Sequence, residues 1–122
     1  MKVLIVDDNE DLASIVQEII ENENYRARTA GDGEDGYLAY LHFRPHLVIT
    51  DIQMPGKNGF ELMKDIRVHN PKIRTIYMSS YLSRFRSLLE QEKKRYHASF
   101  LRKPFSKVEL IGLVSKNLRY LR

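Results

Sequence analysis

The sequence predicts a doubly wound α/β domain, and three observations favour this fold. Short apolar runs of strand length recur five times along the 122 residues. Segments with apolar residues at helical spacing separate these runs, and no linker or repeat interrupts the alternation. Because apolar strands that alternate with helices are typical of a parallel sheet covered on both faces, we expect five βα units in one domain over residues 1–122.

The predicted strands are all short and are followed by helices. They cover residues 2–6, 25–30, 46–50, 73–78 and 98–101, and the second alternates weakly and is expected to be less buried. The predicted helices cover residues 10–22, from the turn at 31–33 to about 43, from about 60 to before the Asn70-Pro71 step, about 82–95, and from 105 to the C-terminus. Residues 54–59 contain one proline and two glycines and are predicted to form a loop.

Composition excludes several classes of protein. The chain has no cysteine, which excludes a disulfide scaffold, a thiolate zinc site and a cysteine nucleophile. No apolar run is long enough to predict a transmembrane helix, and Asp7-Asp8 interrupts the apolar N-terminal run too early for a signal peptide. These features fit a cytoplasmic protein without a membrane partner.

Polar side chains follow four of the predicted strands. Asp7-Asp8 follows the first strand, Asp51 the third, Ser79-Ser80 the fourth, and Lys103 lies two residues beyond the fifth. Because the carboxyl ends of parallel strands share one edge of a sheet, where such folds bind ligands, we expect these groups to meet.

Three carboxylates at one point repel each other, and a pair separated by 4 Å costs roughly 4 kcal/mol at an effective dielectric near 20. A bound cation relieves this repulsion, and ligands that are all oxygen favour Mg²⁺ over Ca²⁺ or Zn²⁺. Lys103 adds a positive charge, and the Ser79 hydroxyl adds a hydrogen-bond donor. Together these groups predict a phosphoryl-transfer site with Asp51 as the nucleophile, because Asp7 and Asp8 are committed to the metal.

The chain resembles the receiver domain of the two-component response-regulator family over essentially its whole length. The resemblance lies in four motifs: Val6-Asp7-Asp8-Asn9, Asp51-Ile52-Gln53-Met54-Pro55-Gly56-Lys57-Asn58-Gly59, Met78-Ser79-Ser80-Tyr81 and Lys103-Pro104-Phe105. It implies a flavodoxin-like (βα)5 fold with a five-stranded parallel sheet in the order 2-1-3-4-5.

The resemblance also implies a chemistry for these motifs. Asp51 would accept a phosphoryl group from a phosphohistidine of a sensor histidine kinase or a phosphotransfer protein. Mg²⁺ would be bound by Asp8, Asp51 and the backbone carbonyl of Gln53, with Asp7 in support. Such a domain catalyses its own phosphorylation and dephosphorylation and is not a conventional turnover enzyme.

Further roles follow from the same resemblance. Ser79 occupies the position of the switch hydroxyl, and Phe100 that of the switch aromatic residue. The Lys103–Pro104 peptide is expected to be cis. Gln53 and Tyr81 are expected beside the path of the hydrolytic water.

The sequence departs from the family pattern around the fourth helix. Ser80 stands where a small alanine is usual, and His97-Ala98 stands where Gly-Ala is common. The segment from Ser79 to Lys103 is about two residues longer than is common. These departures leave the site complete and concern the shape of the fourth helix and the choice of partner.

Three other functions compete with this interpretation. A phosphohydrolase that resembles haloacid dehalogenases would need a second aspartate where Asn9 stands, and a flavin carrier would need a neutral phosphate loop where the chain has Asp7-Asp8-Asn9-Glu10-Asp11. The third is a receiver-like protein-binding module that phosphorylation does not regulate. The sequence does not decide between a free-standing regulator and a part of a longer one.

Basic residues are concentrated in the last third of the chain. Residues 84–122 carry a net charge of +8, whereas residues 1–83 carry −4. The basic segment covers the fourth helix, fifth strand and fifth helix, which the resemblance implies to be the output face. We expect this face to bind an acidic protein surface or an output domain, and no motif for direct DNA binding is visible. Its basic residues are Arg84, Arg86, Lys93, Lys94, Arg95, Arg102, Lys103, Lys107, Lys116, Arg119 and Arg122.

Overall fold

Five parallel strands form one sheet in the order β2-β1-β3-β4-β5, with five helices packed around it. The structure is a computed structural model that describes residues 1–121, so Arg122 lies outside the described residues. The strands are β1 Lys2–Val6, β2 Arg26–Ala30, β3 Leu47–Asp51, β4 Arg74–Ser79 and β5 Ala98–Arg102. The helices are α1 Glu10–Asn22, α2 Gly33–Phe43, α3 Gly59–His69, α4 Arg86–Arg95 and α5 Lys107–Leu118. The predicted fold class and strand order are confirmed.

The central strands are buried on both faces, which explains their continuous apolar sequence. Val3 and Ile5 of β1 pack in a cluster with α1 and α5, whereas Leu4 and Val6 pack in a second cluster with α2, α3 and α4. All four side chains are fully buried. Each such burial stabilises the fold by about 1.5–3 kcal/mol, so alternation along β1 fixes the helices to both faces of the sheet. The edge strand β2 is more exposed, as predicted.

Side-chain caps begin four of the helices at the carboxyl edge of the sheet. Asn9 accepts a hydrogen bond from the Leu12 N–H at the start of α1, and Asp32 caps α2 in the same way. Asn58 with Glu61 and Ser106 with Glu109 form capping boxes at α3 and α5. Since each cap satisfies backbone N–H groups that have no partner within the helix, the caps determine where each loop ends.

The boundaries differ from prediction mainly around α4 and α5. The predicted helix over 82–95 is a 3-10 turn, Leu82–Phe85, followed by α4 proper. The last helix begins at Lys107 instead of residue 105, because Ser106 is its cap, and it ends in a second 3-10 turn, Arg119–Leu121. The expectation that the departures after Ser79 alter the shape of the fourth helix stays a prediction.

Helix α4 is the most weakly buried of the helices. Leu89 is its single fully buried side chain in the described structure, and neither α4 nor the 3-10 turn before it has a side-chain cap. Among the described residues no helix has the length and apolar character needed to cross a bilayer.

Candidate functional site

The side chains that follow the strands lie together at the carboxyl edge of the sheet. Asp51 is the last residue of β3, and Asp7 and Lys103 come directly after β1 and β5. Asp7 is 1% exposed and Asp51 is 8% exposed, whereas Asp8 faces solvent. Because β3 lies between β1 and β4, the site is centred on Asp51.

Three carboxylates converge at this edge. Asp7, Asp8 and Asp51 each present one oxygen, and these three atoms lie within 4.8 Å of one another. Oxygen ligands without histidine or cysteine suit a hard cation such as Mg²⁺, which keeps part of its water shell and shares its site with phosphate oxygens. The exposed position of Asp8 leaves one side of the cluster open for water and substrate, so the residues present fit Mg²⁺.

Lys103 places its ammonium group among the carboxylates. Its Nζ donates a hydrogen bond of 2.8 Å to Asp7 Oδ2 and lies 3.5 Å from Asp51 Oδ1. The Lys103–Pro104 peptide is cis, as predicted. The Lys103 ammonium is therefore closer to Asp7 than to Asp51.

Asp51 ionises with difficulty in this environment. Burial raises the pKa of Asp51 from 3.8 to about 6; the Lys103 charge opposes this effect, and the Asp7 and Asp8 charges add to it. The cause is the loss of hydration, which disfavours the charged form. A cation at the cluster would favour the carboxylate form, which is the nucleophilic one.

The backbone around Asp51 is held by contacts that the sequence did not reveal. A Cβ atom added to Gly59 would lie 2.4 Å from the Asp51 carbonyl oxygen, so no other residue fits there without displacing the acceptor strand. Gly59 also donates a backbone hydrogen bond to Ile52, which in turn donates to Met78 of β4. In the sequence, turn geometry is enough to explain this glycine, and only its spacing from Asp51 could have indicated that it packs on that strand.

Ser79 is buried and held by the segment that follows it. Its Oγ accepts a hydrogen bond of 2.9 Å from the Tyr81 N–H. The Tyr81 side chain is 51% exposed, and the Arg84 guanidinium lies 4.5 Å from its ring centroid. The described contacts do not join Ser79 to Asp51 directly, so the hydroxyl is near the acceptor strand but bound to Tyr81.

The remaining predicted residues lie around this centre. Phe100 is half-buried and packs against the buried cluster that contains Tyr77 and Leu89. The Gln53 side chain is exposed on the loop after β3. Their contacts do not include the carboxylates, so their roles as switch, metal ligand and water-side residue stay predictions.

Burial of Asp51 beside Asp7 and Asp8 makes the free energy of unfolding depend on whether Asp51 is protonated. The folded-state pKa of about 6 exceeds the ordinary value of 3.8. The stability contribution of protonated Asp51 is therefore complete below about pH 4 and is lost as the pH rises through about 6. We expect Asp51→Asn to raise the free energy of unfolding at pH 8 without Mg²⁺ by about 1–3 kcal/mol, and to have little effect at pH 4.

Chemical denaturation at both pH values measures this difference, with Asp65→Asn on α3 as the control. Added Mg²⁺ should stabilise the parent and leave Asp51→Asn nearly unchanged. A parent that is more stable than the variant at pH 8 would contradict the proposed electrostatic cost.

Comparison with known proteins agrees with this geometry. The family sequence model of the response regulator receiver domain matches residues 3–115 of this chain. The chain is 30% identical to sporulation initiation phosphotransferase F of Bacillus subtilis, over 96% of this chain and 93% of that protein. It is also 30% identical to the transcriptional regulatory protein RprY of Bacteroides fragilis, but it spans only 51% of that relative's length.

Solved structures of the same kind superpose over almost the whole chain. The chemotaxis protein CheY4 of Vibrio cholerae matches with a TM-score of 0.86 and 25% identity, over 96% of this chain and 98% of that one. The receiver domain of the Francisella response regulator 1452 matches with a TM-score of 0.85 and 26% identity, over 99% and 98% of the two chains. Motifs, fold and family match therefore agree, and the chain belongs to the response regulator receiver domain family.

Proposed function

We propose that this domain is a phosphorelay receiver in which Asp51 accepts a phosphoryl group from a phosphohistidine, with Mg²⁺, and thereby switches an output face. The phosphodonor is a sensor histidine kinase or a histidine phosphotransfer protein. The observation that carries the proposal is a buried Asp51 that lies 3.5 Å from the Lys103 ammonium and within a cluster of three carboxylates.

The chemistry is a displacement at phosphorus. A carboxylate oxygen of Asp51 forms a bond to phosphorus as the phosphorus–nitrogen bond of the phosphohistidine breaks, and the nitrogen retains the electron pair and takes up a proton. The product is an acyl phosphate on Asp51. Lys103 lies where its ammonium group can hold a phosphoryl oxygen, since it already reaches the acceptor carboxylate.

Asp8, Asp51 and the backbone carbonyl of Gln53 would hold Mg²⁺, with Asp7 in support. When bound, Mg²⁺ neutralises charge that develops on the phosphoryl oxygens. Asp7 is fixed for its supporting role by two hydrogen bonds, since Oδ1 accepts from the Asn9 N–H and Oδ2 from Lys103. This arrangement gives Asn9 two tasks, because it also caps α1.

Ser79 and Phe100 would carry the change from the site to the surface. The Ser79 hydroxyl donates to the phosphoryl group as it moves toward Asp51, and Phe100 moves inward beside it. The bond from the Tyr81 N–H to Ser79 supports this coupling, because a movement of Ser79 acts directly on the segment before α4. Half-burial of Phe100 leaves it room to move.

A protein donor is favoured by the surface beside the site. An apolar groove runs from α1 to the loop that contains Lys103, and Ile15 in this groove is 54% exposed. An exposed apolar surface next to a charged site is typical of a protein-binding surface. Since such donors lie in the cytoplasm, we also place this domain there. The groove is lined by Leu12, Ile15, Ile19, Ser80, Lys103, Pro104, Phe105 and Lys107.

The basic output face contains fewer basic residues than the sequence suggested. Lys103 belongs to the acceptor site, and Arg122 lies outside the described residues. Glu92 is turned inward to Arg67, so it does not neutralise the surface. The other nine basic residues are exposed, and we propose that they bind an acidic partner surface or output domain. They are Arg84, Arg86, Lys93, Lys94, Arg95, Arg102, Lys107, Lys116 and Arg119.

A protein-binding module without phosphorylation gains no support, because the acceptor, acidic pair and lysine are all in place.

Phosphorylation itself provides the first test. Incubation with acetyl phosphate and Mg²⁺ should add one phosphoryl group, and Asp51→Asn should abolish the addition because the nucleophile is lost. Lys103→Ala should retain Asp51 but lose the fixed cation, so we expect slower phosphorylation. Intact-protein mass spectrometry measures each step. Addition of a phosphoryl group that persists in Asp51→Asn and needs no Mg²⁺ would contradict the proposal.

The lifetime of the phosphoryl group tests the position of Tyr81. If its ring shields the acyl phosphate from water, Tyr81→Ala should accelerate the loss of phosphate several-fold. Arg84→Ala is a useful companion variant, because it removes the cation over the ring and leaves the ring present. Time courses after removal of the donor give the rates. Equal rates in the parent and Tyr81→Ala would show that the tyrosine only covers the surface.

Charge reversal tests the output face. Changing Lys93, Lys94 and Arg95 to glutamate should weaken binding of an acidic partner domain at low salt and leave phosphorylation of Asp51 intact, because these exposed side chains lie outside the acceptor site. Titrations at two salt concentrations with a partner that binds the parent provide the measurement. Binding that is unchanged and insensitive to salt would mean that the charge is incidental.

A further inference from the structure

A buried ion pair connects α3 with α4 away from the acceptor. Arg67 of α3 donates a hydrogen bond of 2.6 Å from Nη1 to Glu92 Oε1 of α4. The two side chains are only 7% and 17% exposed. The structure also contains an ion pair between Lys57, in the loop before α3, and Asp65 of α3, and these side chains are 32% and 39% exposed. The Arg67–Glu92 pair is therefore unusual in this structure for its burial.

Tyr77 of β4 joins the same pair to the sheet. Its hydroxyl donates to the Glu92 Oε1 atom and lies 3.5 Å from Arg67 Nη2. Burial raises the pKa of Tyr77, so the hydroxyl stays neutral and keeps its proton for Glu92. The Arg67 guanidinium also lies 3.7 Å from the ring centroid of Tyr96, which directly follows α4. The four side chains thus join α3, β4, α4 and the turn into β5.

Stability alone does not explain this network. Taking two charges out of water is costly, and apolar replacements of such a pair are often as stable. The Nε atom of Arg67 is buried and has no acceptor within the described protein, which adds a further cost. The network instead ties the C-terminal half of α4 to α3 and β4, and Leu89 is the buried apolar side chain that this helix contributes.

The segment that leads into the N-terminal end of α4 is held by different contacts. The 3-10 turn Leu82–Phe85 begins three residues after Ser79, and its contacts include the Phe85 ring 6.0 Å from the Phe60 ring. Phe60 in turn lies 4.8 Å from the Tyr77 ring. Ring contacts of this kind tolerate small displacements, whereas the hydrogen bonds to Glu92 depend strongly on distance and angle.

We propose that Arg67, Tyr77 and Glu92 are positioning residues that fix the C-terminal half of α4, so that a movement of Ser79 displaces residues 80–86 while residues 89–95 stay in place. Residues 80–86 thus pivot relative to the fixed residues 89–95, and the helix does not move as a whole. The part that concerns Ser79 rests on the proposed function, whereas the fixing of residues 89–95 does not.

Amide hydrogen exchange resolved along the full chain tests both parts. The main variant is Arg67→Met with Glu92→Met, which removes both charges together and leaves neither one buried alone. Tyr77→Phe is the milder variant, because it keeps the ring and removes only the hydroxyl. Asp65→Asn breaks the exposed ion pair of α3 and serves as the control.

Without any ligand, we expect residues 89–95 to exchange at least about tenfold faster in the double variant than in the parent, and severalfold faster in Tyr77→Phe. Asp65→Asn should exchange like the parent. Equal exchange of residues 89–95 in the parent, the double variant and Tyr77→Phe would overturn the proposal. If the double variant does not fold, Tyr77→Phe decides the result.

Mg²⁺ with beryllofluoride, which mimics a phosphoryl group, then tests the pivot. In the parent the exchange rates should change over residues 80–86 and stay constant over 89–95, and in the double variant the change should extend to 89–95. A parent response that already includes 89–95 would overturn the pivot. If the parent does not respond at all while the double variant still loosens 89–95, the proposed phosphorylation fails and the positioning role stands.

Discussion

Burial of Asp51, together with repulsion from two neighbouring carboxylates at the same edge of the parallel sheet, is the constraint on which the rest of this site depends. Asp51 is buried at the end of the central strand and has Asp7 and Asp8 beside it, so its charged form is disfavoured without a cation. Lys103 relieves part of this repulsion, and it approaches Asp7 more closely than Asp51. The Asp51 carboxylate is thus held where a bound cation would favour its charged form.

The loops that border Asp51 are restrained by side-chain caps, and the loop that leads to α4 is restrained less. Asn9, Asn58 and Ser106 fix the starts of three helices with their side chains. Gly59 packs directly on the Asp51 carbonyl and leaves no space between α3 and the acceptor strand. The segment after Ser79 has no such cap, and it turns through a short 3-10 helix before α4 begins. The end of β4 is therefore less restrained by capping side chains than the ends of β1 and β3.

Surface charge and buried charge have separate roles in the fourth helix. Lys93, Lys94 and Arg95 form its exposed last turn, whereas Glu92 points inward to Arg67 and Tyr77. The sequence count treats Glu92 as a neutralising charge of the basic face, but its side chain is committed to the interior. The surface is therefore more basic locally than the sequence count implies, and the interior contact fixes how that surface is presented.

The sequence by itself determined the fold class, the strand order through the family resemblance, and the convergence of Asp7, Asp8, Asp51 and Lys103. These features follow from local patterns, because an apolar run of strand length and the polar residue that ends it are visible in a few consecutive residues. Helix boundaries were predicted less accurately. The last helix was predicted to begin at the apolar Phe105, whereas Ser106 caps it and the helix begins at Lys107.

Only the tertiary structure decided which charges are paired and which glycine supports the acceptor. The contact between Gly59 and Asp51 crosses a loop, and the network of Arg67, Tyr77 and Glu92 joins residues up to 25 positions apart. Such contacts depend on how helices lie across the sheet, and no local pattern in the chain encodes that distance. The sequence therefore predicted which side chains meet at the site, whereas packing decided how they are held and how α4 is attached to the sheet.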